Sequence, residues 1–568
     1  MALTSESALR CVLLSDFNVA NLGGYLANDP DAPRLEVVAG HYGDVMQALT
    51  HEDHPCWAEG TDCAVVWTQP QVVSRAFGEL LAFRPAELEQ VLEEVDAFAS
   101  LLERTRDRVR SLFVPSWVVP GNPRGLGFLD LTHDHGIAHA LLAMNARLVE
   151  RLRRVPAIYV LDAQRWIAAA GRDAHNPKLW YMAKVAFGND VMREAARDLK
   201  AALAAISGSS RKLLILDLDN TLWGGVVGDV GWESLRLGGH DAVGEAFVAF
   251  QREVKALSRR GVVLAVVSKN EEAIALEAIK RHPEMALTID DVAQWRINWK
   301  DKAANIVDLV QALNLGLDSA VFIDDNPAER LRVREALPEV FVPEWPTQPA
   351  LYRKALLELR CFDTATLSDE DRQRSESYTA ERRRSELCKS LPSIDDWLHS
   401  LEQTVEVESL NSANAARAAQ LFNKTNQMNL ATRRMPQDEL IAWASLPDHR
   451  VWTFRVADRF SDSGLTGILS LEIGRDAAEI VDFVLSCRVM GRRVEETMLH
   501  VAIEFAHTLG LHYVCAVYRE TAKNRPCLEF WSKSSGFTQE PGTTRFVWDV
   551  SRDYPQPEPV ALCLRDAP

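Results

Sequence analysis

The chain has 568 residues, 47% of them hydrophobic and 25% charged, with a net charge of −17 at pH 7. That length exceeds what one hydrophobic core organises and predicts about two to four domains, while the acidic balance excludes a broad basic face for nucleic acid. Nine cysteines without a CxxC pair exclude a structural zinc site or a disulfide framework and point to a reducing, cytoplasmic setting. No run reaches the roughly 20 apolar residues of a membrane span, and the first residues lack a basic stretch followed by a long apolar core.

Residues 1–207 open with the strand-like "LRCVLLSDFN", followed by "DCAVVWTQ", "SLFVPSWVVP" and "AIYVLDA". Helical segments such as "PAELEQVLEEVDAFASLLERTRDRVRSL" lie between them, the alternation of a parallel α/β sheet with helical crossovers. A helix in "NDVMREAARDLKAALAAISGSS" runs into a Gly/Ser break and places a domain boundary near residue 208. Residues 208–366 repeat the α/β alternation, with strands predicted at "RKLLILDLDNT", "GVVLAVVSKN", "MALTIDD" and "SAVFIDDN". The charge-dense "LSDEDRQRSESYTAERRRSEL" marks 367–394 as a linker or solvated helix. Residues 395–550 contain "VWTFRVAD", "LTGILSLEIG", "AAEIVDFVLSC" and "HYVCAVYR" with a helix in "RRVEETMLHVAIEFAHTLGL", a mainly antiparallel α+β pattern. The proline-rich residues 551–568 read as a poorly ordered tail. The fold class is α/β, multidomain.

The chemistry concentrates at strand ends, where ligands of an open α/β sheet bind. Asp217 and Asp219 occupy alternate positions after "LLIL": one carboxylate can attack phosphorus while the other handles the leaving-group proton. Thr221 can hold the turn or touch a phosphate oxygen, Ser268 can donate to a phosphoryl oxygen, and Lys302 can neutralise phosphoryl charge, with Lys300 close enough to compete. Asp324 and Asp325 are adjacent carboxylates suited to Mg²⁺. Gly224, Gly225 and Gly228 permit tight turns in a short flap near the mouth of such a site.

This ordered series resembles the four motifs of the haloacid dehalogenase (HAD) phosphatase superfamily. The resemblance implies that Asp217 is the nucleophile, forming an aspartyl-phosphate, and Asp219 the general acid/base. It further implies Mg²⁺ held by Asp217, the Asp219 backbone carbonyl, and Asp324 or Asp325. Longer stretches, "LDLDNTLWGGVVGDVG", "NWKDKAANI", "FIDDNPAER", "LFNKTNQMN", "RFSDSGLTGI" and "FVLSCRVMGRRVEE", resemble the FkbH-like family of polyketide biosynthesis. That resemblance implies an SGNH-hydrolase-like α/β domain, a HAD-like domain with a Rossmannoid parallel sheet, and a GNAT-like α+β domain. It also implies capture of D-1,3-bisphosphoglycerate, its dephosphorylation, and loading of glyceryl as a thioester on the phosphopantetheine of a holo acyl carrier protein. The C1 acyl phosphate of that substrate is activated toward a thiol, whereas its C3 monoester needs metal-assisted hydrolysis.

Cys487 is the candidate thiol. Its segment reads as strand, short turn and helix, so a helix N-terminus and the neighbouring Arg488, Arg492 and Arg493 would favour thiolate. Arg488, Gly491 and Arg492 also resemble part of the GNAT pyrophosphate loop, (Q/R)xxGx(G/A), a site able to receive phosphopantetheine or glycerate phosphates; Arg493 stands where the last small residue belongs. Cys515 and Cys527 read as core or surface thiols, His500, His507 and His512 as packing residues, and Asn426, Asn429 and Ser463 as turn or cap residues of family-like segments. In the first domain Ser15 and His175 are the hydrolase-like residues, but a Gly-Asp-Ser signature and a GxND block are missing, and "THDHGIAH" at 132–139 has no helix-borne zinc spacing. A docking or structural role is expected there. Two other readings remain open: a Mg²⁺-dependent phosphatase or phosphotransferase for another small phosphometabolite, and a non-catalytic carrier-binding adaptor.

Overall fold

The computed structural model describes residues 8–565 apart from 41–42, 52, 58–59, 120, 122–124, 133–135, 366–368, 426 and 522–523. The chain forms two compact units: Met1–Lys212 with Lys354–Leu367, and Leu213–Arg353 with Ser368–Pro568. No helix among the described residues is long and apolar enough to cross a membrane.

In the first unit, β1 (Leu9–Ser15), β2 (Leu35–Ala39), β3 (Cys63–Trp67), β4 (Ser111–Pro115) and β5 (Ile158–Leu161) form one parallel sheet in the order β2-β1-β3-β4-β5. Alternate residues of β1 enter opposite cores: Val12 and Leu14 pack with Phe98 and Met144, whereas Cys11 and Leu13 pack with Leu22 and Leu199. β2 gave no clear sequence signal because it is an edge strand carrying the exposed Glu36. Residues 354–365, placed by the sequence in the second domain, return to this unit. Arg360 Nε lies 2.5 Å from Asp198 Oδ1, its guanidinium also pairs with Glu194, and Arg211 N–H donates to the Cys361 carbonyl.

The second unit begins with a four-stranded parallel sheet of β6 (Leu213–Leu216), β7 (Val263–Ser268), β8 (Gln294–Ile297) and β9 (Ala320–Ile323), ordered β8-β7-β6-β9. "MALTIDD" is not a strand. Thr288 and Asp291 cap one another across a 3₁₀ turn, Ile289–Asp291, and the edge strand starts three residues later. Its polar content, Gln294 and Arg296, hid it.

The remaining strands are β10 (Gln403–Ser409), β11 (Met428–Asn429), β12 (His449–Ala457), β13 (Asp462–Ile473), β14 (Ala477–Leu485), β15 (Tyr513–Val517), β16 (Thr538–Gln539), β17 (Arg545–Asp549) and β18 (Val560–Leu564). They form one mixed sheet, ordered β16-β17-β15-β14-β13-β12-β10-β18. β12, β13 and β14 are an antiparallel meander, as expected. β14 pairs in parallel with β15 only over Ala477–Ile480, and its far end, Val484–Leu485, pairs with β11 instead. The tail contains a strand, contrary to expectation: β18 adds to β10 in parallel, with Val560 buried, because the edge of β10 offers unpaired backbone groups beside an apolar surface.

The charge-dense stretch is a helix, Asp369–Ser390, and its second half is not solvated. Thr379, Ala380, Arg382 and Arg384 are buried. Thr379 donates to the Asp290 carbonyl (3.1 Å), and the Arg382 guanidinium stacks 4.8 Å from the Trp295 ring. Arg384 makes bonds of 2.7 and 3.0 Å to Asp458 and one of 2.6 Å to Ser461. This helix therefore ties the four-stranded sheet to the mixed one.

Candidate active site

The parallel register of β6, β7 and β9 brings Asp217 and Asp324 to one level, with Ser268 one residue further along β7. Leu216 pairs with Ile323 and with Val266, and the Asp217 N–H continues the ladder to the Ile323 carbonyl (3.0 Å). Lys302 enters from the first turn of the helix Lys302–Ala312, whose N-cap Asp301 accepts from the Ala303 N–H at 2.7 Å. The lysine is 4% exposed; its ammonium lies 2.6 Å from Asp324 Oδ2 and 2.9 Å from Asp217 Oδ1. Geometry thus selects Lys302, and Lys300 is exposed. Burial pulls the Lys302 ammonium down, but the charges of Asp217 and Asp324 outweigh it and the net direction is up.

Asp217, Asp324 and Asp325 each offer a carboxylate oxygen within 4.8 Å of the others. Burial first, and the Asp217 charge second, push Asp324 up to about 6 and raise Asp325 as well. Asp217 Oδ1 is buried and faces the Lys302 ammonium at 2.9 Å. Three carboxylates facing one ammonium leave the cluster with excess negative charge. An oxygen-only donor set and surplus charge fit a hard divalent cation.

Asp219 points elsewhere. Its Oδ1 accepts from Trp223 Nε1 (2.8 Å) and the Val227 N–H (3.1 Å), and its Oδ2 accepts from Asn270 Nδ2 (2.8 Å), so its carboxylate lies outside the cluster. Burial raises its pKa against those three donors. Thr221 Oγ1 accepts from the Asp325 N–H at 3.1 Å, which fastens the β6 loop to the β9 loop. Sequence reading missed Asn270, although it stands two residues after Ser268 at a strand end, and Arg330, which donates to the Asp324 and Asp325 carbonyls at 2.8 Å each. Beyond β6 a short flap closes through reciprocal Gly224–Arg236 backbone bonds (3.1 and 2.9 Å), with Gly225 at φ +106°, a conformation that favours glycine.

The structure revises the Cys487 segment. Cys487 is exposed on a three-residue 3₁₀ turn, and the α-helix starts only at Val494, so a helix dipole does not act on the thiol. Arg492 is 3% exposed and engaged by Glu381 (2.6 Å) and Asp458 (3.3 Å). The Gly491 N–H is taken by Glu495 Oε1 at 2.8 Å, and Arg493 pairs with Glu496 at 2.8 Å. Neither Arg492 nor the Gly491 N–H is open to a phosphate; of the three loop residues only Arg488 presents an exposed cation. Cys515 and Cys527 are buried, and His500 Nδ1 lies 2.8 Å from the Tyr554 carbonyl. Buried Asn429 organises its own turn with Thr425 and Thr432. Asn426 and the centre of "THDHGIAH" lie outside the described residues. In the first unit Ser15 Oγ accepts from the Phe17 N–H and His175 Nδ1 lies 3.3 Å from the Ala186 carbonyl; no hydrogen bond joins Ser15 to His175.

Cys487 and Arg488 line a cavity of about 390 Å³ together with Gln294, Ala312 and Ser463. Its place is decisive. Gln294 begins β8, three residues and about 10 Å below Ile297, which pairs with Ser268. Lys302 and Ala312 are opposite ends of one helix, about 15 Å apart. The thiol and the carboxylate cluster therefore sit at opposite ends of the four-stranded sheet.

Fold and carboxylate cluster together are those of a phosphatase-type α/β domain within a multidomain chain. Among solved structures, the N-terminal part of the protein BF1531 from Bacteroides fragilis, containing a phosphatase domain complexed with Mg, is 29% identical, with a TM-score of 0.57 over 63% of this chain and 95% of that one. Matches of low TM-score (0.21) are the spermidine N-acetyltransferase from Vibrio cholerae, 18% identical over 26% of this chain and 96% of that one, and the PaiA N-acetyltransferase from Thermoplasma acidophilum, 15% identical over 26% and 98%. No family model and no curated protein matches the sequence.

Proposed function

We propose that the protein is a two-site enzyme: a Mg²⁺-dependent phosphatase at Asp217 coupled to acyl transfer at Cys487. It captures D-1,3-bisphosphoglycerate, removes its phosphates and loads glyceryl onto the phosphopantetheine of an acyl carrier protein. The observation that carries the phosphatase reading is the buried Lys302 ammonium between Asp217 and Asp324, beside a third carboxylate. The transfer reading rests on the sequence resemblance and on an exposed thiol that lines a cavity.

Asp217, Asp324 and Asp325, with the Asp219 carbonyl, would hold Mg²⁺, which when bound offsets the repulsion between carboxylate and phosphate dianion. In this mechanism an Asp217 oxygen attacks the C3 phosphorus, the P–O bond to the sugar-acid carbon breaks, and the alkoxide takes a proton from Asp219. Water then cleaves the aspartyl-phosphate, with its proton returning to Asp219. Lys302 holds the Asp217 carboxylate in place and shares the arriving negative charge. Burial keeps the Asp219 carboxyl readier to hold a proton than an exposed aspartate. At the other end, the Cys487 thiolate attacks the C1 acyl phosphate and expels inorganic phosphate, and the carrier thiol then displaces Cys487 from the thioester. A three-carbon phospho-acid cannot reach from one end to the other of the helix Lys302–Ala312, about 15 Å long, so each phosphate is lost in its own binding event.

That separation also favours a second reading, in which the Asp217 site serves another small phosphometabolite independently of the thiol. The two readings part when the protein is incubated with Mg²⁺, bisphosphoglycerate and holo carrier and the carrier is weighed. A gain of one glyceryl group is expected; free phosphate beside an unmodified carrier would leave only the phosphatase.

A further inference from the structure

The region of the mixed sheet carries another cavity, and neither the phosphatase nor the transfer reading uses it. It encloses about 650 Å³ between the helix Ile394–Ser400, the first turn of the helix Val494–Thr508, the turn after the helix Arg525–Lys533, and the strap Tyr554–Pro559 that leads into β18. It shares no lining residue with the cavity beside Cys487. Three carboxylates, Asp395, Glu496 and Glu558, face one guanidinium, Arg493, and one imidazole, His399. Arg493 is already held by Glu496 at 2.8 Å, whereas Asp395 and Glu558 make no ion pair among the described residues. The floor is aromatic: Trp548 and Tyr554 meet edge to face at 5.0 Å, each 6% exposed. Burial first, and the Glu496 charge second, raise the Tyr554 phenol against the Arg493 charge, so its hydroxyl lies among the charges of the cavity. That hydroxyl makes no hydrogen bond among the described residues, although the side chain is buried. Pro555, Pro557 and Pro559 stiffen the strap, and the Tyr554 carbonyl, 2.8 Å from His500 Nδ1, ties it to the helix Val494–Thr508, so the walls are formed before any ligand arrives.

Carboxylates without partners call for a cation, and two observations decide its kind. Among the described residues only the Asp217 cluster brings three ligand atoms within 4.8 Å of one another, so the three carboxylates here do not converge on a metal ion. The aromatic floor and the strap prolines suit methylene groups rather than a hydrated ion. We propose that this cavity binds a small alkylammonium ligand, its methylene body against Trp548 and the strap prolines and its charge shared among Asp395, Glu558 and the Tyr554 hydroxyl. An ammonium group carries three N–H donors, which these acceptors match. Arg552 already lies 4.7 Å over the Trp548 ring, so the carboxylates rather than the indole face hold the charge.

The test is isothermal titration calorimetry on the full-length protein, with Mg²⁺ present to occupy the Asp217 cluster. The probe is 1,4-diaminobutane; 1,4-butanediol, its neutral counterpart, and succinate, an anion of the same chain length, are the comparisons. Saturable binding of one diamine per chain is expected, with no binding of the diol or of succinate. Glu558→Gln should raise Kd about threefold and Tyr554→Phe about fivefold, with unchanged melting temperatures showing that both variants fold. Bound diamine should also slow amide hydrogen exchange in the helix Ile394–Ser400 and the first turn of the helix Val494–Thr508. A protein of net charge −17 attracts amines diffusely as well. Many weak sites without saturation, or one site whose Kd is the same in both variants, would therefore overturn the proposal. So would equal binding of the diol or of succinate.

Discussion

The carboxylate cluster and the Cys487 turn were both read from the residues that follow a buried strand, yet the structure assembles one and rearranges the other. At the cluster, the positions of Asp217, Ser268 and Asp324 follow from the parallel register of β6, β7 and β9, which the apolar runs specify. At the Cys487 turn, partners from distant segments decide. Glu381 of the connecting helix and Asp458 of the β12–β13 turn claim Arg492, and Glu495 claims the Gly491 N–H. Strand-end chemistry is legible in sequence because a sheet fixes it. Loop chemistry depends on contacts that no local pattern encodes.

The largest expected effect lies in the cluster. Lys302→Met leaves three carboxylates facing one another without their ammonium, which should cost about 3–5 kcal/mol of stability in the absence of divalent ions. Urea denaturation with and without Mg²⁺ measures it, and Mg²⁺ should stabilise the variant more than the wild type. Equal stability of variant and wild type would mean that the ion pairs do not hold the cluster.

A contrast between two arginines comes next. Arg384→Ala removes the nearer of the two arginines that pair with the buried Asp458 and leaves only Arg492, at 3.3 Å, so it should cost about 2–3 kcal/mol, whereas Arg488→Ala, exposed and without a carboxylate partner among the described residues, should stay within about 0.5 kcal/mol. Denaturation midpoints compare them directly, and similar losses would contradict the division between buried, paired arginines and an exposed one.

The smallest of the three is a pH effect. Burial pushes Glu495 up to about 7, against the Gly491 N–H it accepts from and the nearby Arg492 charge. Because the folded value lies above the unfolded one, its contribution is fully present below about 4.5 and is lost as pH rises through about 7. Over that window stability should fall by roughly 3 kcal/mol on account of this group. Glu495→Gln should flatten that slope, as read from melting temperature against pH; an unchanged slope would show that Glu495 is not its source.

Particular elements show where the sequence was readable. β1, β3, β6, β7 and β9 carry unbroken apolar runs and stand where expected. The two edge strands, β2 and β8, were missed or misplaced because an edge tolerates Glu36, Gln294 and Arg296. The helix Asp369–Ser390 looked solvated because its buried faces are arginines, which pack by stacking on Trp295 and by pairing with Asp458 rather than through apolar side chains. The strand in the tail was hidden by the prolines before it, although Val560–Leu564 completes the edge of β10.

The two-site division is tested most directly by repeating the carrier experiment with Asp217→Asn in place of the wild type. If thiol capture proceeds at the opposite end of the sheet from the phosphatase cluster, the variant still acylates the carrier, and the carrier gains a phosphoglyceryl rather than a glyceryl group. A carrier left unmodified by Asp217→Asn, under conditions where the wild type loads it fully, would contradict the division.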